Sequence, residues 1–338
     1  MKIRLLQLLN WGVAALYVYL AWSGAFGYSI WGQIMEVAGS DPLRLLQQGH
    51  THALRLMVVL PALFVAQNSP FSADAVFGLY VGLAIVVAGY LSARSACLAA
   101  TGSLANVRYF STPVLLGLIF IATQMNGRIA FAFFGFSLII GAQVAYEMGR
   151  IRSVWWLLAQ SLLGLFFMSV STGAFLIGVF TIFRLAVVPY PVNWPYASKS
   201  RLLMFVVSIG LLAALYGLIS DAVFKNIEYY GGGWGGALRM LKHGLGRFLP
   251  TDTPFLLLLA VTGVAIGLPV LDWLGRKLQR HDPRGPIYMG LFFAAFGGIF
   301  GISTLMVGIP LALSVFAMWL WTPYLRPVTL ARPVAILD

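Results

Sequence analysis

The chain is a succession of apolar runs separated by short polar breaks. A helix needs about 20 apolar residues, at about 1.5 Å each, to cross the hydrocarbon core of a bilayer. Runs of that kind lie near residues 5–24, 56–73, 75–93, 109–127, 129–146, 153–170, 172–190, 202–220 and 253–271, and only 172–190 holds a charge, Arg184. A further run from Ile287 to Trp321 is too long for one crossing, and Gly297, Gly298 and Gly301 predict a break into two helices joined by a tight turn. The pattern predicts an all-α, polytopic helical bundle with about eleven transmembrane helices. It forms a single integral membrane domain over residues 1–338, within which 221–252 is an extracytoplasmic loop. Met1-Lys2-Ile3-Arg4 leads into a first span without a small-residue cleavage site, so that span is expected to be retained.

Lys and Arg set the orientation. The short segment with Arg276, Lys277, Arg280 and Arg284 is the densest basic loop and is assigned to the cytoplasm. Counting outward puts Arg94/Arg108, Arg150/Arg152, Lys199/Arg201 and Arg326/Arg332 on the same side. Arg128 and the loop 221–252 then face the other compartment. Strict alternation places Lys2 and Arg4 there too, against the positive-inside tendency, unless residues 27–51 include a re-entrant or interfacial helix that restores the parity. The sequence leaves both open.

Composition narrows the class. Of 338 residues 60% are hydrophobic and 9% charged, against about 25% charged in a soluble domain, and mean hydropathy is +0.88. A soluble enzyme, a disordered chain and a nucleic-acid-binding module are excluded despite the formal charge of +12. That excess serves topology and attraction to anionic lipid. The single cysteine, Cys97, excludes a disulfide framework and a thiolate metal cluster.

The segment Asp221–Asp252 holds most of the candidate chemistry. It carries Lys225, Arg239, Lys242, His243 and Arg247, with Glu228, Asp221 and Asp252, and its basic excess runs against the positive-inside bias. From Gly236 to Phe248 the spacing predicts an amphipathic helix: at about 100° per residue, Leu238, Leu241, Leu245 and Phe248 fall within an arc of roughly 80°. Arg239, Lys242, His243 and Arg247 share the opposite face at three- and four-residue steps. Such a face can clamp a diphosphate, since guanidinium binds phosphate oxygens bidentately. It also fits an interfacial helix whose cations touch lipid phosphates. Arg128, in Gln124-Met125-Asn126-Gly127-Arg128, falls at the predicted outer end of a helix, where it either snorkels to the interface or faces a polar cavity. Arg184 is either somewhat buried or, as is the more usual case, snorkels to the cytoplasmic side, and Asp74 and Asp272, at span ends, either pair with an arginine or are hydrated. His50-Thr51-His52 is a poor metal site, because helical residues two apart are rotated by about 200°. The span centres hold almost no carboxylate or histidine for ion-coupled transport.

The order of these features resembles the polysaccharide polymerases of the Wzy/EpsG type. The likeness rests on Asn126-Gly127-Arg128-Ile129-Ala130-Phe131-Ala132, similar to the family's arginine followed by an alanine-rich apolar helix. It rests also on Trp156 to Phe180, where a helix ends, turns over small polar residues and re-enters. The third stretch is Asn226-Ile227-Glu228-Tyr229-Tyr230-Gly231-Gly232-Gly233 before a basic helix, with Gly39-Ser40-Asp41 a weaker fourth. Together they frame most of residues 39–250. At the turn Met168–Thr172 relatives often place a histidine, whereas this chain has Ser169, Ser171 and Thr172, which puts a catalytic role for that turn in doubt.

The resemblance implies a metal-independent glycosyltransferase, without cofactor, in the bacterial inner membrane and working at its outer face. The donor would be a glycan on undecaprenyl diphosphate and the acceptor a hydroxyl of another lipid-linked repeat unit. Implied partners are that glycan, membrane lipids, and a chain-length regulator or flippase of the same pathway. Charge grows on the diphosphate as the glycosidic bond breaks, so preorganised cations aimed at it are the main source of acceleration. Arg128, Arg239 and Arg247 are the candidates, with Lys242 in support. His243 is the candidate base for the acceptor hydroxyl, with Asp252 or Glu228 as substitutes. Tyr229, Tyr230 and Trp234 either stack on sugar rings or anchor the loop at the interface. The alternatives are an O-antigen ligase-like transferase, suggested by Gly236–Gly246, a flippase for the same lipid-linked glycan, and a non-catalytic scaffold.

Overall fold

The computed structural model describes residues 2–24, 39–48, 53–122, 127–151, 153–187, 197–237, 239, 283–297 and 306–325. The described residues form helices and turns, with no strand among them. In chain order the helices are α1 (Lys2–Trp22), α2 (Pro42–Gln47), α3 (Ala53–Asn68), α4 (Ala73–Thr101), α5 (Val107–Ala122), α6 (Gly127–Glu147), α7 (Val154–Met168), α8 (Thr172–Val187), α9 (Ala197–Tyr229), α10 (Gly285–Gly297) and α11 (Ile309–Trp321). The stretches Arg4–Trp22, Ala73–Thr101 and Gly127–Glu147 are each long and apolar enough to cross a membrane, and shorter apolar helices accompany them. The protein is a membrane-embedded helical bundle. The predicted span 253–271 lies outside the described residues.

Small residues let the helices approach. α4 is the hub, packing against α1, α3, α5, α6 and α11. Its ends are set by Ser72, whose hydroxyl accepts from the Ala75 amide, and by Gly102 in the left-handed conformation. Ser92 of α4 and Ser137 of α6 share a hydrogen bond at 2.8 Å in the buried seam. α6 and α7 meet most closely at Gly135 and Gly164, where a Cβ on either would lie against the other's carbonyl oxygen. Interfaces of this kind suit membranes, where close van der Waals contact holds helices together. Gly164→Val is therefore expected to lower stability by about 1–3 kcal/mol, read as a lower unfolding temperature in detergent, with Gly164→Ala falling between it and the wild type.

Neighbouring side chains order the two ends of the bundle. Asn10 of α1 donates to the Arg108 carbonyl at the start of α5, so Arg4 lies at the Arg108 end. Arg150 donates to the Gly102 carbonyl there at 3.1 Å, and Phe205 of α9 packs 5.8 Å from Phe183 near the end of α8, so α9 starts there too. Ala21 of α1 packs on Gly78 and Gly82 of α4, which places the end of α1 beside the beginning of α4. The chain thus leaves and returns on one side between Trp22 and Ala73.

α3 belongs to that excursion. Near its start Arg55 reaches the α7–α8 turn, the Val58 carbonyl accepts from Tyr80 of α4 at 3.0 Å, and its last residue is followed within a few positions by α4. Both of its ends lie in the half of the bundle away from Arg108. The run 56–73, expected as a crossing, thus forms a helix with both ends toward one half of the bundle, and the amino-terminal charge, whose side the sequence left open, lies with the other basic segments. Residues 27–51 do carry a helix, α2, capped by Asp41, which accepts from the Leu43 amide. The parity argument needed an even passage, and Pro61 inside α3 gave no hint of where that helix stops.

Candidate functional site

The end opposite Arg108 gathers the starts of α6 and α8, the end of α7 and the start of α3. Arg128 is the second residue of α6, half-buried behind the buried Gly127. Arg55, also half-buried, sits in the first turn of α3. Its Nε donates to the Val170 carbonyl at 2.9 Å, fixing the turn between α7 and α8. The Arg55 and Arg128 guanidinium groups are close enough for their like charges to act on each other. Val170 is fully buried, and the Ser169 hydroxyl donates back to the Phe166 carbonyl at 2.6 Å. One turn along α6, Phe131 meets Tyr80 with ring centroids 5.0 Å apart, closing the corner below the two cations. Two guanidinium groups brought within electrostatic range by separate helices raise the local affinity for an anion and offer fork-shaped donors that suit phosphate oxygens.

The sequence reading singled out Arg128 and the turn 168–172 but missed Arg55. The turn enters the site through its backbone carbonyl, so its lack of histidine does not remove it from the corner.

The second cluster of candidates also lies at this end, at the far terminus of α9. The expected loop 221–252 begins as helix: α9 continues past the predicted span to Tyr229. At about 1.5 Å per residue, its 33 residues exceed the roughly 30 Å hydrocarbon core and carry Lys225 and Glu228 beyond it. With no Gly or Pro between Asp221 and Tyr230, nothing stops the helix earlier. It ends in paired backbone bonds, Gly231 N–H to the Glu228 carbonyl and Gly232 N–H to the Ile227 carbonyl, at 2.9 and 3.0 Å. Gly231 has φ of +107°, a conformation that disfavours other residues. Gly236 packs on the Ile227 carbonyl, so the helical turn over 233–237 folds back on α9.

On this corner Glu228 and Arg239 are exposed, and the Arg239 guanidinium lies over Gly231. Tyr229 and Trp234 are 82% and 86% exposed, and Tyr230 packs edge-on against Tyr229 at 5.1 Å. Lys242, His243, Arg247 and Asp252, and with them most of the amphipathic helix 236–248, lie outside the described residues, as do His50 and His52 and the backbone from 123 to 126. Arg128 lies within electrostatic range of Arg55, Arg55 is bonded to the 168–172 turn, and the 228–239 corner lies at the same end of the bundle.

The opposite end holds a second charged feature that overturns an expectation. Arg184 is 4% exposed. Its Nη1 donates to Glu147 Oε1 at 2.6 Å and to Gln143 Oε1 at 3.3 Å. Gln143 in turn donates to the Thr181 carbonyl at 2.7 Å. Arg184 does not snorkel, because α6 offers a carboxylate and an amide one turn apart on the face that α8 covers. The signal was present as Gln143 and Glu147 at four-residue spacing facing Thr181 and Arg184 at three.

No protein-family model matches the chain, no curated protein matches it, and no solved structure matches it.

Proposed function

We propose that the chain is a metal-independent glycosyltransferase of the bacterial inner membrane. In this reading it polymerises undecaprenyl-diphosphate-linked oligosaccharide repeat units into a surface polysaccharide. The observation that carries the proposal is the convergence of Arg55 and Arg128, from α3 and α6, beside the α7–α8 turn. Their end lies opposite the one with Arg4, Arg108 and Arg150. With the basic end in the cytoplasm, the arginine corner faces outward, where a lipid-linked glycan is presented. α3 being an excursion, the chain makes about ten crossings in this reading.

Arg55 and Arg128 bind the diphosphate and stabilise the charge that develops on it, which is the chief requirement of glycosyl transfer from such a donor. A diphosphate departs without protonation, so the second demand is a base for the acceptor hydroxyl. His243 takes that role, with Asp252 and Glu228 as the carboxylates on the same segment. Arg239, Lys242 and Arg247 supply further positive charge, and Tyr229, Tyr230 and Trp234 offer faces for sugar rings. A flippase or a chain-length regulator of the same pathway would be the protein partner.

The test is the glycan ladder of cells that rely on this chain for polymer. The wild type restores a ladder, and Arg128→Ala is expected to leave single repeat units at normal membrane levels of the protein. A normal ladder would overturn the proposal. Loss of even the single units from the outer leaflet would assign the chain to lipid-linked glycan translocation instead.

A further inference from the structure

We propose that the Arg108 end carries a separate site for the phosphate headgroup of an anionic phospholipid, built from Arg108, Tyr109, Trp321 and Thr322. Tyr109 is its centre. The Arg108 guanidinium lies over the Tyr109 ring at 5.8 Å, and the Trp321 ring packs on Tyr109 with centroids 5.3 Å apart. Tyr324 extends the aromatic cluster, 6.4 Å from Trp321. Three polar atoms here, Arg108 Nε, Trp321 Nε1 and Thr322 Oγ1, are buried and have no hydrogen-bond partner among the described residues. Guanidinium and indole nitrogens can only donate, and a buried donor without an acceptor costs free energy that native structures seldom leave uncompensated. A group rich in acceptor oxygens and negatively charged would satisfy all three.

Arg108 is held in place for this. Its own carbonyl accepts from Asn10 Nδ2 at 3.1 Å, Ser111 Oγ at 3.2 Å and Thr112 Oγ1 at 2.8 Å. Asn10 is fixed in turn, its Nδ2 also donating to Ser111 Oγ at 2.8 Å. The residue is thus tied to the seam of α1 and α5 through its backbone, which leaves the guanidinium for a ligand.

Two features select a lipid phosphate over a free one. Phe316, Trp319 and Leu320 are exposed at three- and four-residue spacing on α11, one continuous apolar face that leads to Trp321. Leu116, also exposed, continues that surface on α5, beside Gly117 where Leu313 of α11 packs. Acyl chains can lie along this face while the headgroup meets the donors at its end. Arg4 and Arg150 at the same end raise the local concentration of anionic lipid.

The experiment is thermal unfolding of the purified full-length protein in mild detergent, titrated with dioleoyl phosphatidylglycerol, dioleoyl phosphatidylcholine or inorganic phosphate. Phosphatidylglycerol is expected to raise the unfolding temperature saturably, and phosphatidylcholine and phosphate far less. Arg108→Gln should raise the half-saturating lipid concentration about tenfold, the worth of one hydrogen bond to a charged group. Trp321→Phe, which keeps the ring and loses Nε1, should raise it several-fold, and decides the matter if Arg108→Gln does not fold. Arg150→Gln, which removes a cation at the same end but no donor of the cluster, should raise it far less than Arg108→Gln or Trp321→Phe. Equal stabilisation by phosphatidylcholine, or a wild-type curve for both Arg108→Gln and Trp321→Phe, would overturn the proposal. An equal response to inorganic phosphate would overturn the lipid as its source.

Discussion

Arg55→Ala and Arg128→Ala are each expected to slow polymer formation by about 10²–10³-fold, and the double variant to fall little further. That is the usual effect of deleting one preorganised donor aimed at developing charge, about 3–4 kcal/mol of transition-state stabilisation. The shortfall from additivity follows from geometry. Both guanidinium groups lie at one end and feel each other's charge, so in the proposed transferase the loss of either would leave the survivor without a fixed grip on the diphosphate. Groups that act as a unit are strongly non-additive in this way. Arg128→Lys keeps the charge but not the fork and should recover part of the rate. Arg55 carries a second duty, because its Nε holds the Val170 carbonyl. Arg55→Lys should therefore recover less than Arg128→Lys, since an ammonium on that stem cannot satisfy the turn and face the substrate together. Initial rates in membrane vesicles supplied with a synthetic lipid-linked repeat unit, normalised to protein, give these values. A full rate for Arg55→Ala would remove Arg55 from the mechanism.

What the sequence revealed of this site follows from the range of the forces involved. Hydrophobic runs are local, and the helices they predict near 75–93, 129–146, 153–170 and 172–190 all form. Arg128 was visible because it interrupts two apolar runs. Arg55 was not. It stands one residue before the predicted span 56–73, where a flanking charge is ordinary, and only the return of α3 beside the α7–α8 turn makes it a partner of Arg128. The length of α9 was misjudged for a different reason. Asp221, Lys225 and Glu228 mark the end of hydrophobic burial, but charge alone does not end a helix, and the left-handed glycines that do come only at Gly231. Arg184 was misread because its neutralising partner sits on another helix, 37 residues away in sequence.

That buried pair gives the largest expected effect on stability. Removing one member, as in Glu147→Leu or Arg184→Met, should cost about 3–5 kcal/mol, because the remaining charge stays desolvated and unpaired. Glu147→Leu should be the worse of the two. The Glu147 side chain is 18% exposed and can reach water when its partner is gone, whereas that of Arg184 is 3% exposed. Arg184 Nε already lacks a partner among the described residues, so the cation depends on what Nη1 finds in α6. Replacing both together, Glu147→Leu with Arg184→Met, should restore most of the loss, since an apolar pair of similar volume avoids the desolvation penalty. Unfolding temperatures of the four proteins in one detergent close this double-mutant cycle. Equal, small effects for both single variants would mean that water reaches the pair and that α6 and α8 are not sealed at this end. The outcome bears on the arginine corner as well. α6 and α8 begin beside Arg55 and Arg128 and are tied together by Arg184 at their other ends. A variant that loosens the tie without unfolding the protein should weaken polymer formation at a distance, and the double apolar variant should regain it.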